Sequence, residues 1–292
     1  MSVPITSRFA PSPTGRLHLG HAFSAIQAHD RARHQAGRFL LRIEDIDGTR
    51  SRAEHVDAIL ADLRWLGLEW DESVLFQSTR LDVYADALAR LRGMGLLYPC
   101  FCTRAEIAAS LSAPHAMEAV YPGTCRHLEP ADRAVRIVAG AAHAWRIDMA
   151  AAAARTGPLV WTDEIAGEVI AQPARHGDVV LARKDAPASY HLAVTVDDAA
   201  QGVTHVVRGV DLFAATDVHG LLQALLELPT PLYRHHELLT DSDGTRLAKR
   251  NDSPALERLR LRGDDGPALA DMLREGRLPS DILTTGFLAA NA

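Results

Sequence analysis

A chain of 292 residues, 47% hydrophobic and 23% charged, has room for one large α/β unit or two modest ones and enough apolar side chains to build a core. Its net charge of −6 excludes a protein that is basic throughout, so a nucleic-acid partner would have to be met by a local basic patch. No apolar run approaches the roughly 18–20 residues of a membrane span and no basic-then-apolar leader opens the chain, so a cytoplasmic protein with no membrane partner is expected.

A short apolar segment runs into Pro11, Pro13 and Gly15, which end a strand. His18-Leu19-Gly20-His21 then opens a run with Leu19, Phe23 and Ile26 at helical spacing. The pattern predicts a strand, a tight turn and a helix N-terminus. Such a terminus offers unpaired backbone N–H groups and a positive dipole end to a phosphate. Two imidazoles one turn apart add donors for a pentavalent transition state, and Gly20 lets a flat ring approach the backbone.

Arg38–Ile43 reads as a buried strand that ends in Glu44-Asp45-Ile46-Asp47, carboxylates placed where open α/β sheets take their ligands. Ser51-Arg52-Ala53-Glu54 has the form of a capping box, with Val56, Ile59, Leu60, Leu63 and Leu66 as the core face of the helix behind it. A further helix carries Leu81, Tyr84, Leu88 and Leu91 on one side. Alternation of strand and helix to about residue 99 favours a parallel sheet with right-handed connections.

The pattern changes between Cys100 and about Pro187. A short helix capped by Thr103 and Glu106 and an Ala- and Gly-rich stretch lead to short runs such as Ala144–Ile147 and Glu168–Ile170, which suit an antiparallel insertion. Three cysteines, an odd number crowded between Cys100 and Cys125, argue against a disulfide scaffold. A C-x-C pair with a third thiol about two dozen residues on supplies three of the four ligands of a tetrahedral zinc site. Chemistry alone nominates His115 or His127 as the fourth, since imidazole is a far commoner ligand than phenolate.

Alternation resumes with Tyr190–Asp198 and the strand-like Thr204–Gly209, followed by a helix with Val218, Leu221, Leu222, Leu225 and Leu228 on one face. Asp241-Ser242-Asp243-Gly244 is a turn signal before the basic run Arg246-Leu247-Ala248-Lys249-Arg250, and the last ~40 residues read as short helices. The whole is an α/β protein: a Rossmann-like parallel sheet in halves 1–99 and 188–240, a zinc-bearing insertion at 100–187 and a small helical C-terminal region at 241–292.

The string from Arg8 to His21 resembles the first signature of the class I glutamyl-tRNA synthetases, and Arg246–Arg250 resembles their second, a lysine loop that closes over a triphosphate. The resemblance implies His18, His21 and Lys249 as catalytic groups, with Gly20 and Arg246 joining them on Mg-ATP. It further implies Arg8 and Arg208 as guanidinium partners of glutamate, Glu44 for its ammonium, Ser12 and Tyr190 as orienting hydroxyls, and Ala10 beside them. This copy departs from the signature in two places: Arg246 stands for a lysine, and Ala248 for a serine whose hydroxyl is lost.

Cys100-Phe101-Cys102 with Tyr121-Pro122-Gly123-Thr124-Cys125 resembles the zinc site of the glutamyl-queuosine tRNA(Asp) synthetases, a family in which a tyrosine fills the fourth position. That resemblance implies Cys100, Cys102, Tyr121 and Cys125 as ligands of one structural Zn2+. It spans nearly the whole chain, and nothing after Asp281 corresponds to the anticodon-binding domain of full-length glutamyl-tRNA synthetases. The implied function is activation of L-glutamate by ATP as glutamyl-adenylate and its transfer, by a monomer, to the queuosine of tRNA(Asp). The rival readings are a catalytic fragment that charges a tRNA 3′ end and a non-catalytic glutamate or tRNA sensor, the second disfavoured because His18, His21 and Lys249 are all present.

Overall fold

The computed structural model describes residues 4–103, 105–107, 120–240 and 255–278. His115, the turn at 241–244, the basic run that holds Arg246, Ala248 and Lys249, and the chain beyond 278 lie outside the described residues.

The first half runs β1 (Thr6–Phe9), α1 (Leu19–Arg33), β2 (Arg38–Ile43), α2 (Ala53–Trp65), β3 (Leu75–Phe76), α3 (Leu81–Gly93) and β4 (Leu97–Cys100). The middle adds α4 (Pro130–Val138), β5 (Ala144–Ile147), α5 (Met149–Thr156), β6 (Val160–Asp163), β7 (Gly167–Ile170) and β8 (Val180–Ala182). The remainder consists of α6 (Tyr190–Ala200), β9 (His205–Gly209), α7 (Thr216–Leu226), β10 (Leu232–His236), α8 (Leu256–Arg262) and α9 (Gly266–Arg274).

β1, β2 and β3 are parallel, as are β9, β10 and β6. Phe39, Leu40, Leu41 and Ile43 of β2 are all buried, as in a strand covered on both faces, with the equally buried Arg42 interrupting the apolar run. The two parallel halves meet at a seam where Thr204 N donates to Thr6 O (2.9 Å) and Thr6 N donates to Thr204 Oγ1 (2.8 Å). α1 packs across this seam against β1, β2 and β9. Its buried Ala22, Ala25, Ala28 and Ala32 keep the helix close to the sheet. The strand layout reverses at such a seam, and the crevice beyond the carboxyl ends of its strands is where open α/β sheets bind ligands.

Between the halves, β4, β5 and β8 form an antiparallel sheet. β6 and β7, which fall within 100–187, form an antiparallel hairpin that extends the parallel sheet through β10 rather than joining β4, β5 and β8. No helix among the described residues is long and apolar enough to cross a membrane.

Two local expectations fail for identifiable reasons. The box from Ser51 to Glu54 does not form: Arg52 is the N-cap of α2, no side chain caps the helix, and Ser51 Oγ is buried without a hydrogen bond. Arg52 N instead donates to Pro13 O (3.2 Å), so the loop after β1 fixes where the helix starts. Leu81 opens α3 but stays 38% exposed, while Tyr84, Leu88 and Leu91 are buried as expected. The cap by Thr103 and Glu106 does form, with Glu106 N donating to Thr103 Oγ1 (3.2 Å) and Thr103 N to Glu106 Oε2 (2.6 Å).

At the C-terminal side Asp265 caps α9, and Trp65 Nε1 donates to Asp264 O (3.0 Å). A Cβ on Gly266 would lie 2.0 Å from Trp65 O, so α9 docks on α2 by backbone approach. Gly266→Ala is expected to cost about 1–3 kcal/mol through this clash. Urea denaturation measures it, and an unshifted midpoint would contradict the docking.

Candidate active site

A cavity of about 380 Å³ opens at the carboxyl ends of β1 and β9. Arg8, Ala10, Ser12, His18, Gly20, His21, Glu44, Tyr190 and Arg208 all line it, so every sequence-nominated glutamate- and ATP-site residue that is described meets in one place. Arg246 and Lys249 are outside the described residues.

His18 is the N-cap of α1 and uses its ring for the purpose: Nδ1 accepts from Gly20 N (3.1 Å), while His21 Nδ1 accepts from His18 N (3.2 Å). The rings lie 3.8 Å apart. Because each Nδ1 accepts, a neutral ring carries its proton on Nε2, which makes both imidazoles Nε2–H donors. The loop between β1 and α1 is tied to β2 by Glu44 N donating to Pro11 O (3.0 Å). The rim is closed by an antiparallel bridge between His18 and Ala255, with Leu256 N donating to Leu17 O (2.8 Å).

Under one end of the cavity lies an ion network that the sequence reading missed. Asp198 accepts from Arg8 through both oxygens, at 2.9 and 3.2 Å, and from Arg42 Nη1 at 2.8 Å. Burial would raise the Asp198 pKa, but the two guanidiniums outweigh it and hold the carboxyl below its usual range. Arg42 is wholly buried, and its Nη2 lies 3.7 Å from Glu44 Oε1 without a hydrogen bond. Glu44 is pushed up to about 7, chiefly by burial, against the pull of Arg42 and Arg8. Behind it Asp197 takes Arg80 (2.6 Å), Tyr84 Oη (2.8 Å) and Gln77 Nε2 (2.9 Å). The signal in the sequence was charge out of place: Arg42 inside an apolar strand, and Asp197-Asp198 closing the apolar run of α6.

Arg208 is 5% exposed and gives all its donors to neutral acceptors. Nε reaches His235 Nε2 (3.0 Å), Nη1 reaches Tyr190 Oη (3.2 Å) and His219 Nδ1 (3.2 Å), and Nη2 reaches Leu212 O (3.2 Å) and Thr216 Oγ1 (2.7 Å). Among the described residues no carboxylate forms an ion pair with it. Its charge is hydrogen-bonded but not neutralised, and a buried cation in that state favours an anion in the adjoining space. Tyr190, 38% exposed, and Leu212 are the members of this shell that line the cavity. Burial lowers His235 to about 4 and holds His219 well below its ordinary value, so both rings are neutral and can accept from the guanidinium.

Away from this cavity, the Sγ atoms of Cys100, Cys102 and Cys125 lie within 4.8 Å of one another. Tyr121 Oη is 3.4 Å from Cys100 Sγ and 3.5 Å from Cys102 Sγ, and it accepts from Cys125 N (2.9 Å). Lys184 Nζ donates to the carbonyls of Phe101 (2.8 Å) and Cys102 (3.2 Å), fixing the turn that carries the pair. His127 is exposed. Convergent thiols suit a soft metal ion, and the cluster could hold one.

The family described as tRNA synthetases class I (E and Q), catalytic domain, matches residues 4–277. A Rhodobacter capsulatus protein named Glutamyl-Q tRNA(Asp) synthetase is 51% identical over 268 residues, 88% of this chain and 95% of its own. A protein of the same name from Symbiobacterium thermophilum is 45% identical over 270 residues, 89% of this chain and 82% of its own. The crystal structure of a glutamate tRNA ligase from Elizabethkingia meningosepticum, in complex with its amino acid, is similar with a TM-score of 0.74 and 28% identity over 85% of this chain. This chain spans about half of that ligase, 52%.

The neutral histidines make stability depend on pH. His235 takes a proton at about 4 in the folded chain against an ordinary 6.5, so its contribution is complete above pH 6.5 and drains away as pH falls toward 4. Glu44 acts in the opposite sense, because its raised pKa favours the folded state as pH falls from 7 toward 4.5. In Glu44→Gln protein, lowering the pH from 7 to 5 should therefore cost about 2 kcal/mol from His235 alone. Urea midpoints at the two pH values measure it, and equal midpoints would mean that the ring is not held neutral.

Proposed function

The chain belongs to the family of class I glutamyl- and glutaminyl-tRNA synthetase catalytic domains, and on that premise we propose that it activates glutamate with Mg-ATP and passes the glutamyl group to the queuosine of tRNA(Asp). The observation that carries the first half is Arg208, a buried guanidinium that pairs with no carboxylate among the described residues, set into the same cavity as the two imidazoles. Around the cavity Arg8 and Arg42 pair with Asp198 and Arg42 lies 3.7 Å from Glu44, while Arg208 pairs with no carboxylate among the described residues, which leaves its charge for a carboxylate of glutamate. The names of the relatives, matched over most of their length, support the second half.

In this reading Arg8 and Arg208 hold the carboxylates of glutamate and ionised Glu44 accepts from its ammonium. Tyr190 can turn its hydroxyl from Arg208 toward the ligand. A carboxylate oxygen attacks the α-phosphorus, the bond to the bridging oxygen breaks, and pyrophosphate leaves. The Nε2–H groups of His18 and His21 donate to the oxygens on which charge builds. Lys249 and Arg246 complete the triphosphate site: Lys249 stands six residues before Ala255, at most about 20 Å of extended chain from the bridge to His18. A hydroxyl of the queuosine cyclopentenediol then attacks the acyl carbon, and AMP departs. A held hydroxyl suffices here, because the mixed anhydride is already activated. Cys100, Cys102, Cys125 and Tyr121 would hold Zn2+ as a structural ion, since four protein ligands leave no open position.

Glutamate-dependent pyrophosphate exchange tests activation, and His21→Ala should lower it by about 30- to 1000-fold, the equivalent of ~2–4 kcal/mol. Radiolabelled glutamate should enter tRNA(Asp) that carries queuosine even after removal of its 3′-terminal adenosine. Labelling that ignores queuosine and needs the 3′ end would show instead a synthetase fragment charging that end. Cys125→Ala should lose bound zinc, measured by atomic emission, while far-UV circular dichroism stays close to that of the unsubstituted protein; undiminished zinc would remove Cys125 from the ligand set.

A further inference from the structure

Two of the five acceptors around Arg208 are imidazoles, and an imidazole accepts only through a nitrogen that carries no proton. A guanidinium has donors alone, so His235 Nε2 must be bare to take Arg208 Nε at 3.0 Å. The proton of the neutral ring then belongs on Nδ1, and Asp163 Oδ2 lies 2.8 Å from that atom. Asp163 is anchored in turn: Oδ2 also accepts from His235 N (3.1 Å), and Oδ1 accepts from Ile165 N and Ala166 N (2.9 Å each) at the turn between β6 and β7. Asp163 is 2% exposed, His235 4% and Arg208 5%, so solvent does not compete along this line.

We propose that Asp163 is a positioning residue for the amino-acid site, acting through the tautomer of His235 to aim the Arg208 guanidinium at the substrate carboxylate. The inference rests on the glutamate reading above. Of the five acceptors of Arg208, the ring held by Asp163 is the one tied to a carboxylate among the described residues. The other ring, His219, places its Nε2 3.2 Å from Nδ1 of His191, a second imidazole and not a carboxylate. If the proton moves to Nε2 of His235, two N–H groups face each other and Arg208 Nε loses its acceptor. The guanidinium then has to turn, and with it the Nη1 that holds Tyr190 Oη at the cavity wall. An amide at position 163 invites this, because its NH2 would donate to His235 Nδ1 and favour the wrong tautomer. Asp163 belongs to β6, in the segment between the two halves of the sheet, so the β6–β7 hairpin reaches the amino-acid site through this carboxylate, with Trp161 of the same strand edge-on to the His235 ring (centroids 5.8 Å apart).

The test is the KM for glutamate and for ATP in pyrophosphate exchange, with the thermal midpoint of each protein. Asp163→Asn should raise the KM for glutamate about ten-fold, the scale of one hydrogen bond to a charged group, and leave the KM for ATP unchanged. His235→Ala should do the same. His235→Gln should stay near the unsubstituted value, because its amide oxygen can accept from Arg208 Nε with no tautomer to be set. In that background Asp163→Asn should have no further effect on the KM for glutamate. An unchanged KM in the Asp163→Asn protein, or an equal rise in both backgrounds, overturns the inference. If Asp163→Asn does not fold, the pair at position 235 decides: equal KM values for Gln and Ala overturn it, and a low value for Gln alone supports it. Absence of exchange in the unsubstituted protein would overturn the glutamate reading and this inference together, whereas exchange with an unmoved KM would overturn this inference alone.

Discussion

A guanidinium taken out of water has to be given acceptors and, unless a ligand is to supply it, a counter-charge. Arg8, Arg42 and Arg208 lie under or beside one cavity, each less than a tenth exposed, and the rest of the site follows from how each is satisfied. Asp198 serves two of them, so Arg8 reaches the cavity already fixed from behind. Among the described residues Arg208 is met by neutral groups, which orients the fork without cancelling its charge. One cation is braced and the other is left wanting an anion, a division suited to gripping a dicarboxylic amino acid while refusing an uncharged one.

The frame around these charges was largely legible in the sequence, because hydrophobic period and punctuation are local signals. β2 falls on Arg38–Ile43 as read, the proline and glycine loop stands between β1 and α1, Ile59, Leu63 and Leu66 are buried as expected while Val56 and Leu60 are half-buried, and Val218, Leu221, Leu222 and Leu225 are buried in α7, which ends before the half-buried Leu228. Tyr121 lies against two of the thiols while His127 is exposed, a distinction that came from family resemblance and not from ligand statistics. What stayed hidden was non-local. Asp198 and Arg8 are 190 residues apart, and Asp163 and His235 are 72 apart, with no spacing rule to join them. The cap expected at Ser51 fails for a similar reason, since the hydrogen bond that Arg52 N donates to Pro13 O overrides a local pattern.

The segment between the two halves of the sheet therefore does two things. Its antiparallel part carries the thiols, held by Lys184 just before α6 begins. Its hairpin joins β10 and places Asp163 behind His235. The guanidinium of Arg208 is thus backed by the inserted segment as well as by the second half of the sheet.

The seam also sets an order of events while the chain is being made. Thr6 and Thr204 are 198 residues apart, so at ribosomal rates of about 5–20 residues per second the first strand waits roughly 10 to 40 seconds before its second neighbour exists. Through that interval the open edge of β1 and the lone charge of Arg8 are exposed together, and the arrival of Asp198 and β9 covers both. Nascent fragments released before this point would be the ones most in need of a chaperone, whereas chains a few dozen residues longer already have β10 paired with β9.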